Sequence, residues 1–284
     1  MKTLITGATG FIGRPLLSHT KKFNFYYLVN NQKLEDSYEN QIVGNLEQNS
    51  TLERIYKESF DRVIHLAWQG LPERNAELNI KNLILSKQLI DVLISANKEC
   101  EINITGSCFE YGELNRKVNE NDLPLNVGEF GKTKLELFNY LNEKTQNYRW
   151  FRLFFVYGPN QHPKSLINFI QKSLSESKEI ILDKPDVCND YIYVDDVAQI
   201  IWKLVNTDDC KGIINVGTGK LTSNSEILNT ILKLQGKSGL DDNYKSNIKG
   251  IGLAANIEKM TKFVTNNEFT DLEFGISRTI NVSI

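Results

Sequence analysis

Residues 5–14, Ile-Thr-Gly-Ala-Thr-Gly-Phe-Ile-Gly-Arg, decide the fold of this chain. Their glycines, Gly7, Gly10 and Gly13, form a G-x-x-G-x-x-G pattern, one residue longer than G-x-G-x-x-G. The first lets the chain turn sharply out of a strand, the second lets backbone approach a pyrophosphate, and the third lets a helix pack closely on the sheet. Such glycines also occur by chance in loops, but here a strand pattern precedes them and a helical pattern follows. The segment therefore predicts a dinucleotide site with phosphates at a helix N-terminus.

Length and charge limit the class of protein. With 284 residues, we expect one nucleotide-binding domain with a smaller appended lobe. Lys and Arg number 33 against 35 Asp and Glu, so no basic excess points to nucleic acid or to anionic lipid. No stretch approaches the ~20 apolar residues of a membrane helix, and the N-terminus is a strand pattern rather than a signal peptide. We therefore expect a cytoplasmic protein without a nucleic-acid or membrane partner.

The cysteines and histidines are dispersed along the chain. No C-x-x-C spacing occurs, and the histidines are far apart. The pattern predicts neither a metal site nor a disulfide framework. These residues are Cys100, Cys108, Cys188, Cys210, His19, His65 and His162.

Strand and helix patterns alternate through the first half. The predicted strands are 2–6, 25–29, 42–43, 62–67, 102–105 and 149–155, and the predicted helices are 11–20, 51–57, 79–96 and 129–144. This alternation predicts an α/β fold, a Rossmann-type doubly wound parallel sheet with right-handed crossovers. Ligands then collect at the carboxyl ends of the strands, where the glycine segment, Asn30, 67–68 and 105–107 lie.

The second half is less regular. It predicts helices at 165–174, 194–205 and 223–234, strands at 180–182 and 213–216, and only weak signals from residue 236 onward. We expect 1–156 to form the dinucleotide-binding domain, with 190–216 returning to it. We expect 157–189 and 217–284 to form a smaller, interleaved C-terminal substrate lobe.

The end of the second strand bears on the cofactor. An acid about twenty residues beyond the glycines would bind the adenosine ribose of NAD and repel the extra phosphate of NADP. Here the chain has Asn30, Asn31 and Lys33, and the nearest acid, Glu35, comes a few residues later. The sequence favours NADP, used as NADPH. NAD held through asparagine or through Glu35 is the alternative.

Two further stretches point to a family. Thr-Gly-Ser-Cys-Phe-Glu-Tyr-Gly at 105–112 follows the fifth strand, and Phe-Gly-Lys-Thr-Lys at 130–134 begins a helix. With the glycine pattern they resemble the extended short-chain dehydrogenases/reductases, the NAD(P)-dependent sugar-nucleotide epimerases, dehydratases and reductases. The resemblance extends to 63–67, to Arg-x-x-x-x-Tyr-Gly-Pro at 152–159 and to 190–196, so it covers most of the chain. Within 152–159 the family has an asparagine where this chain has Phe155.

The resemblance implies which residues carry the chemistry. In the family a tyrosine hydroxyl moves the proton at the substrate oxygen, and a lysine four positions later lowers its pKa and holds the cofactor ribose. A serine hydrogen-bonds the same oxygen. The matching positions are Ser107, Lys134 and, for the tyrosine, Phe130. A phenyl ring has no proton to transfer, and losing a general acid typically costs ~10²–10⁴ in rate. The plainer interpretations are that Ser107 caps a turn and Lys134 is an exposed helix lysine.

Three explanations of Phe130 stay open. The replacement is engineered to trap cofactor and substrate, or it is natural and the protein is a pseudoenzyme, or the register differs and Tyr111 or Tyr140 acts instead. We favour the engineered change, because residues 131–134 keep the family pattern around the missing hydroxyl.

The remaining motifs resemble one subclass. The family's UDP-sugar epimerases carry an arginine where this chain has Asn189. Stretches 67–72, 106–112 and 152–159 look more like the bacterial 4-keto-reductases that finish nucleotide-linked 6-deoxyhexoses, such as dTDP-fucose and CDP-abequose, for surface polysaccharide such as O-antigen. The resemblance implies NADPH-dependent reduction of the C4 keto group of a dTDP- or CDP-linked sugar. Dehydration is not expected, because residues 108–109 are Cys-Phe rather than an acidic pair.

A nucleotide-sugar 4-epimerase and a non-catalytic NADP-binding sensor or scaffold are the alternative functions. The resemblance also implies a homodimer through a four-helix bundle of helices 79–96 and 129–144. The predicted cofactor-binding residues are Gly7, Thr9, Gly10, Phe11, Ile12, Gly13, Asn30, Asn31, Lys33, Asn45, Leu46, Leu66, Ala67, Trp68, Thr105, Lys134 and Phe155. The predicted substrate-binding residues are Trp68, Gln69, Ser107, Cys108, Phe109, Phe130, Lys164, Ser165, Asn189 and Tyr193.

Overall fold

The computed structural model describes residues 1–20, 24–30, 34–35, 37–71, 75–182, 184–238, 252–264 and 269–282. Its central sheet has seven strands: β1 (Thr3–Thr6), β2 (Phe25–Val29), β3 (Gln41–Val43), β4 (Arg62–His65), β5 (Glu101–Ser107), β7 (Tyr148–Leu153) and β11 (Gly212–Val216). They lie in the order β3, β2, β1, β4, β5, β7, β11, and every neighbouring pair is parallel. The chain reverses its direction of travel across the sheet between β1 and β4, as in a doubly wound fold. The predicted fold class is confirmed.

Helices cover both faces of this sheet. On one face α1 (Gly13–Leu17) contacts α6 (Val194–Val205), and on the other α2 (Asn49–Glu58), α3 (Ala76–Ala96) and α4 (Glu129–Lys144) pack in a row. Because neighbouring strand residues point to opposite faces, Leu4 and Ile5 enter two different cores. Both cores are apolar, which explains why adjacent strand residues such as Val63 and Ile64 are both hydrophobic. Among the described residues, no helix has the length and apolar composition needed to cross a membrane.

Segments distant in sequence build the smaller lobe. β8 (Phe155–Tyr157) pairs in parallel with β10 (Tyr191–Tyr193). A second small sheet contains β12 (Thr222–Ser223), β9 (Cys188–Asn189), β13 (Gly252–Ala255) and β6 (Lys117–Val118), in that order. The lobe helices are α5 (Leu166–Ser175), α7 (Asn224–Leu234), α8 (Glu258–Thr261) and α9 (Leu272–Ile280). α5, α7 and α9 share a third apolar core.

Asp190 ties this lobe to the central sheet. The fully buried carboxylate accepts hydrogen bonds from the backbone N–H groups of Thr218 at 2.8 Å, Gly219 at 2.8 Å and Ala255 at 3.0 Å. Thr218 follows β11 and Ala255 ends β13, so one side chain joins the two sheets. Burial raises the pKa of Asp190, against the lowering effect of these hydrogen bonds.

The structure differs from three of the sequence predictions. The strand predicted at 149–155 is interrupted, because Phe154 N–H bonds the Val216 carbonyl and β8 begins a different sheet. The strand predicted at 180–182 is wrong, since this segment is irregular and Ile181 is 69% exposed. Beyond residue 236, where the sequence signals are weak, the structure has β13, α8 and α9. β13 has the sequence Gly-Leu-Ala-Ala, with weak strand propensity, and becomes a strand by pairing on both sides.

Candidate functional site

The glycine segment forms a turn between β1 and α1. Gly7 has φ +75°, and a Cβ there would lie 2.7 Å from the Ala67 backbone nitrogen at the end of β4. A Cβ on Gly13 would collide with the Gly7 carbonyl oxygen. The turn is closed by a hydrogen bond from Gly10 N–H to that carbonyl at 2.9 Å. Because these glycines carry no Cβ, the chain turns tightly from β1 into α1, and a glycine turn of this kind suits the phosphates of a dinucleotide.

A cavity of about 600 Å³ extends from this turn to the loop after β8. It passes the carboxyl ends of β2, β4 and β5, as expected for a doubly wound sheet. Most predicted site residues line it. They are Gly7, Thr9, Gly10, Phe11, Ile12, Gly13, Asn30, Asn45, Leu46, Leu66, Ala67, Trp68, Gln69, Thr105, Ser107, Phe109, Phe130, Lys134, Phe155 and Ser165.

Ser107 ends β5 at the wall of the cavity. Its Oγ accepts a hydrogen bond from Phe109 N–H at 3.2 Å, and Glu110 Oε1 accepts one from Ser107 N–H at 2.7 Å. These reciprocal bonds form a capping box on the 3₁₀ turn Cys108–Tyr111. Ser107 therefore both caps a turn and lines the cavity. Accepting a bond leaves its hydroxyl proton available to a ligand.

Glu110, which accepts the hydrogen bond from Ser107 N–H, is itself held by two other side chains. Its fully buried carboxylate accepts hydrogen bonds from Trp150 Nε1 at 2.9 Å and Arg152 Nε at 2.7 Å. Burial raises the pKa of Glu110, and the charge of Arg152 opposes this. All its bonds hold neighbouring groups in place, so Glu110 has a structural role here.

An aromatic wall, made of Trp68, Phe109, Phe130 and Phe155, lies beside Ser107 in the cavity. The Phe130 ring packs edge-on against Trp68 and Phe109, with 6.1 Å between centroids in both pairs. Phe109 contacts Phe155 at 5.6 Å. Helix α4 can approach the turn that contains Phe109 because Gly131 has no Cβ. A Cβ there would collide with the Phe109 carbonyl oxygen. This approach brings Phe130 into the wall.

Lys134 lies one turn further along α4 and is 3% exposed. Its Nζ donates a hydrogen bond to the Thr105 carbonyl at 2.9 Å and lies 3.5 Å from the centre of the Trp68 ring. Burial lowers the pKa of Lys134 to about 7, and the charge of Glu110 partly opposes this. Lys134 is therefore not the exposed helix lysine of the plainer interpretation.

His65 is a cavity residue that the sequence did not reveal. Ser86 Oγ donates to the Asn82 carbonyl at 2.7 Å, so it accepts from His65 Nε2–H at 2.9 Å. This assignment leaves Nδ1 to accept from the Thr6 hydroxyl at 2.6 Å. Burial, together with the charge of Lys134, lowers the pKa of His65 to about 3. The ring is therefore a neutral bridge between β1, β4 and α3.

Asn82 fixes a second part of the cavity. Its amide donates to the Gln69 carbonyl at 2.9 Å and its Oδ1 accepts from Gln69 N–H at 3.1 Å. Asn82 and Ser86 are buried polar residues one turn apart on α3, and that spacing within an apolar helix was the available sequence signal. Other unpredicted lining residues include Glu47, Gln161 and His162.

The alternative tyrosines lie elsewhere. Tyr111 is fully buried and donates to Asn215 Oδ1 at 2.7 Å, and burial raises its pKa to about 12. Tyr140 donates to the Asp91 carboxylate at 2.7 Å on the surface between α3 and α4. Neither lines the cavity. The geometry therefore gives no support to a shifted register.

Four predicted substrate contacts do not line this cavity: Cys108, Lys164, Asn189 and Tyr193. Cys108 is 1% exposed in the first core, and Tyr193 packs on Tyr157 with 5.7 Å between ring centroids. Asn189 pairs with Thr222 in the small sheet, and Lys164 is exposed before α5.

The cofactor-choice residues are only partly described. Asn30 is exposed and lines the cavity, whereas Glu35 does not line it. Asn31 and Lys33 lie outside the described residues. All four cysteines are buried free thiols, and no metal-binding group of three or more His, Cys, Asp or Glu exists within the described part of the chain.

The chain is similar in sequence to one protein family and to curated members of related function. Residues 3–217 match the NAD dependent epimerase/dehydratase family. The chain is 22% identical to the ADP-L-glycero-D-manno-heptose-6-epimerase of Nitratidesulfovibrio vulgaris, with 81% of this chain and 80% of that protein covered.

Two solved structures share the fold. The UDP-glucuronic acid 4-epimerase of Bacillus cereus in complex with NAD superposes with a TM-score of 0.83 at 22% identity, over 99% of this chain and 98% of that one. The dTDP-glucose 4,6-dehydratase of Bacillus anthracis in complex with NAD gives 0.77 at 19% identity, over 99% and 96%. Because the sequence match runs from β1 to just beyond β11, the chain belongs to the NAD dependent epimerase/dehydratase family.

Proposed function

We propose that this protein uses NADPH to reduce the C4 keto group of a dTDP- or CDP-linked 4-keto-6-deoxyhexose, in the biosynthesis of surface polysaccharide sugars. The observation that carries the proposal is that Ser107 and Lys134 line one cavity with the glycine turn. Stretches 67–72, 106–112 and 152–159 favour the reductase subclass. The names of the relatives, which refer to ADP-, UDP- and dTDP-linked sugars, support a nucleotide-sugar substrate.

The residues take distinct roles in this proposal. A bound reduced nicotinamide supplies the hydride. Ser107 donates its hydroxyl proton in a hydrogen bond to the keto oxygen, which polarises the carbonyl. Lys134 holds the cofactor ribose, and the glycine turn holds the pyrophosphate. Phe130 occupies the tyrosine position and gives the pocket its shape, but it supplies no proton, so the reaction is slow.

The far end of the cavity suits a sugar. Gln161 Oε1 and Ser165 Oγ are buried there and have no hydrogen-bond partner among the residues that the structure describes. Buried polar atoms without partners are costly, and sugar hydroxyls would satisfy both. Trp68 and Gln69 complete this part of the proposed substrate site. We place the sugar between these residues and Ser107.

A 4-epimerase is the second candidate, favoured by the B. cereus 4-epimerase that shares the fold and was solved with NAD. An epimerase would retain NAD through purification and show no net consumption of added cofactor. A non-catalytic NADP-binding sensor is the third candidate, and Phe130 is the observation in its favour.

The decisive test is the oxidation of NADPH by the natural chain and by Phe130→Tyr with a dTDP-4-keto-6-deoxyhexose. We expect slow turnover by the natural chain and a rise of ~10²–10⁴ in Phe130→Tyr, because the hydroxyl restores a general acid beside Lys134. Phe169 is an exposed residue of α5 outside the cavity. Phe169→Tyr adds the same oxygen there and serves as the control. No turnover of any 4-keto sugar nucleotide by either form would favour the sensor.

A further inference from the structure

We propose that Lys134 itself is the proton donor of this site, with Trp68 holding its ammonium group beside the reacting oxygen. The proposal rests on the proposed function for its substrate, a ketone. It gives Lys134 a second role, beyond holding the cofactor ribose. It also accounts for a proton source in a cavity where position 130 carries a phenyl ring.

The described cavity-lining residues leave few other donors. The acidic and basic side chains among them are Glu47, His65, Lys134 and His162. His65 has both ring nitrogens engaged, by Thr6 and Ser86, and its low pKa keeps it neutral. His162 is exposed on the lobe loop, and Glu47 is exposed beyond β3, near the glycine turn. Lys134 is bonded to Thr105, two residues before Ser107, and lines the same cavity as Ser107.

The contacts of Lys134 leave its protons usable. Its one hydrogen bond to a described protein group goes to the Thr105 carbonyl, two residues before Ser107. The Trp68 ring at 3.5 Å attracts the ammonium through its π face but cannot accept the proton. An ammonium group has three donors, so a ligand oxygen can take a further hydrogen bond.

The charges around Lys134 leave it poised to give up a proton. Glu110, behind β5, favours the charged form, but its carboxylate is bonded to Arg152 and Trp150 and makes no ion pair with Lys134. His65, from β4, is neutral. Burial therefore dominates, and the pKa near 7 suits a general acid that works at neutral pH.

The glycine turn and Lys134 would hold the reduced nicotinamide cofactor, which would supply a hydride, and with it an electron pair, to the keto carbon and be oxidised in return. As the π electrons of the carbonyl move to the oxygen, that oxygen forms an O–H bond while an N–H bond of Lys134 breaks. The product is the alcohol, and the neutral Lys134 amine regains a proton from water.

The first test is independent of any substrate. In protein labelled with ¹³C-lysine, the Cε resonance of Lys134, assigned by its loss in Lys134→Met, should titrate with a midpoint near pH 7. Lys144 is the matched control, because it lies on the same helix over the Tyr140 ring but is exposed, and Asp91 raises its pKa. A Lys134 that stays protonated up to pH 9 would overturn the proposal.

The second test uses turnover of the 4-keto sugar by the natural chain. The rate should fall about tenfold per pH unit above the Lys134 midpoint, since only the protonated form donates. Lys134→Arg keeps a cation but releases no proton, so we expect a loss of about 100-fold or more. In Phe130→Tyr the same Lys134→Arg change should cost less, because tyrosine then carries the proton.

If Lys134→Arg leaves the turnover rate of the natural chain unchanged, the proposal is contradicted. If Lys134 titrates near pH 7 and no 4-keto sugar is turned over, the reductase proposal fails while the titrating Lys134 is supported. The two failures are therefore distinguishable.

Discussion

Phe130 is not the only aromatic residue in the cavity that stands where the family resemblance implies a polar one. Phe155 replaces an asparagine of the family pattern, and both rings contact Phe109. Because phenylalanine stands at both of these positions, the aromatic wall presents a continuous apolar surface. A single engineered substitution would not account for Phe155. The packing therefore favours a natural origin for Phe130 over the engineered change that the sequence pattern alone favoured.

We propose that Asn30, which lines the cavity just after β2, contributes to the choice between NADP and NAD. In Asn30→Asp a carboxylate would face the 2′-phosphate of NADPH, so we expect NADPH to bind about tenfold more weakly, with NADH binding retained or improved. Titration of both cofactors by fluorescence measures this. Asn49→Asp, at the start of α2 and outside the cavity lining, adds the same charge as a control. Tighter binding of NADH than of NADPH by the natural chain would contradict the proposal of NADP.

At the scale of elements, the contact between α4 and the 3₁₀ turn holds Phe130 and Lys134 against Ser107. We expect Gly131→Ala to destabilise the protein by about 1–2 kcal/mol. The collision with the Phe109 carbonyl costs about 1–3 kcal/mol, and the better helix propensity of alanine returns at most about 1 kcal/mol. Urea denaturation measures the stability, and turnover should fall as α4 moves away.

Gly128→Ala is the matched control for this change. Gly128 is the N-cap of the same helix, and a Cβ there would meet nothing within 4 Å. Alanine is a poorer N-cap than glycine, but it also reduces the entropy of the unfolded chain, so we expect a net change within about 0.5 kcal/mol. Equal losses in the two variants would show that the contact between Gly131 and Phe109 is not what positions α4.

The elements of the first half could be predicted because their signals are local. Helix α4 begins and ends where the sequence predicts, at Glu129 and Lys144, and β2 matches residues 25–29. The strands of the second half and of the small sheet form by pairing between distant segments. The hydrophobic periodicity of a local stretch does not predict such pairing. β6 and β9 are two residues each and become strands only by pairing with β13.

The predicted site residues divide in a similar way. Ser107 and Lys134 were predicted through the family resemblance, and both line the cavity. The burial of Lys134 under Trp68 could not be predicted, because it depends on how closely α4 approaches β4 and β5. The His65 bridge to Ser86 joins residues of two elements, and nothing in either local stretch indicates it.

At the scale of the whole molecule, the proposed homodimer has a candidate surface. Ile80 and Ile84 lie one turn apart on α3 and are 57% and 51% exposed. We expect sedimentation to show a dimer, and Ile84→Glu to weaken it at least about tenfold by placing a charge in an apolar contact. Phe169→Glu, on α5 in the lobe, puts a charge on an equally exposed apolar residue and should leave the dimer intact. A monomeric natural chain would contradict the dimer.

Asp190 and β13 together set an order of events during synthesis. β13 supplies a central strand of the small sheet and one of the three backbone donors to Asp190, yet it follows all seven strands of the central sheet in the chain. The Rossmann strands are therefore synthesised before the segment that completes the smaller lobe. A nascent protein has an unfinished lobe, and an Asp190 that lacks one of its donors, until β13 has been made.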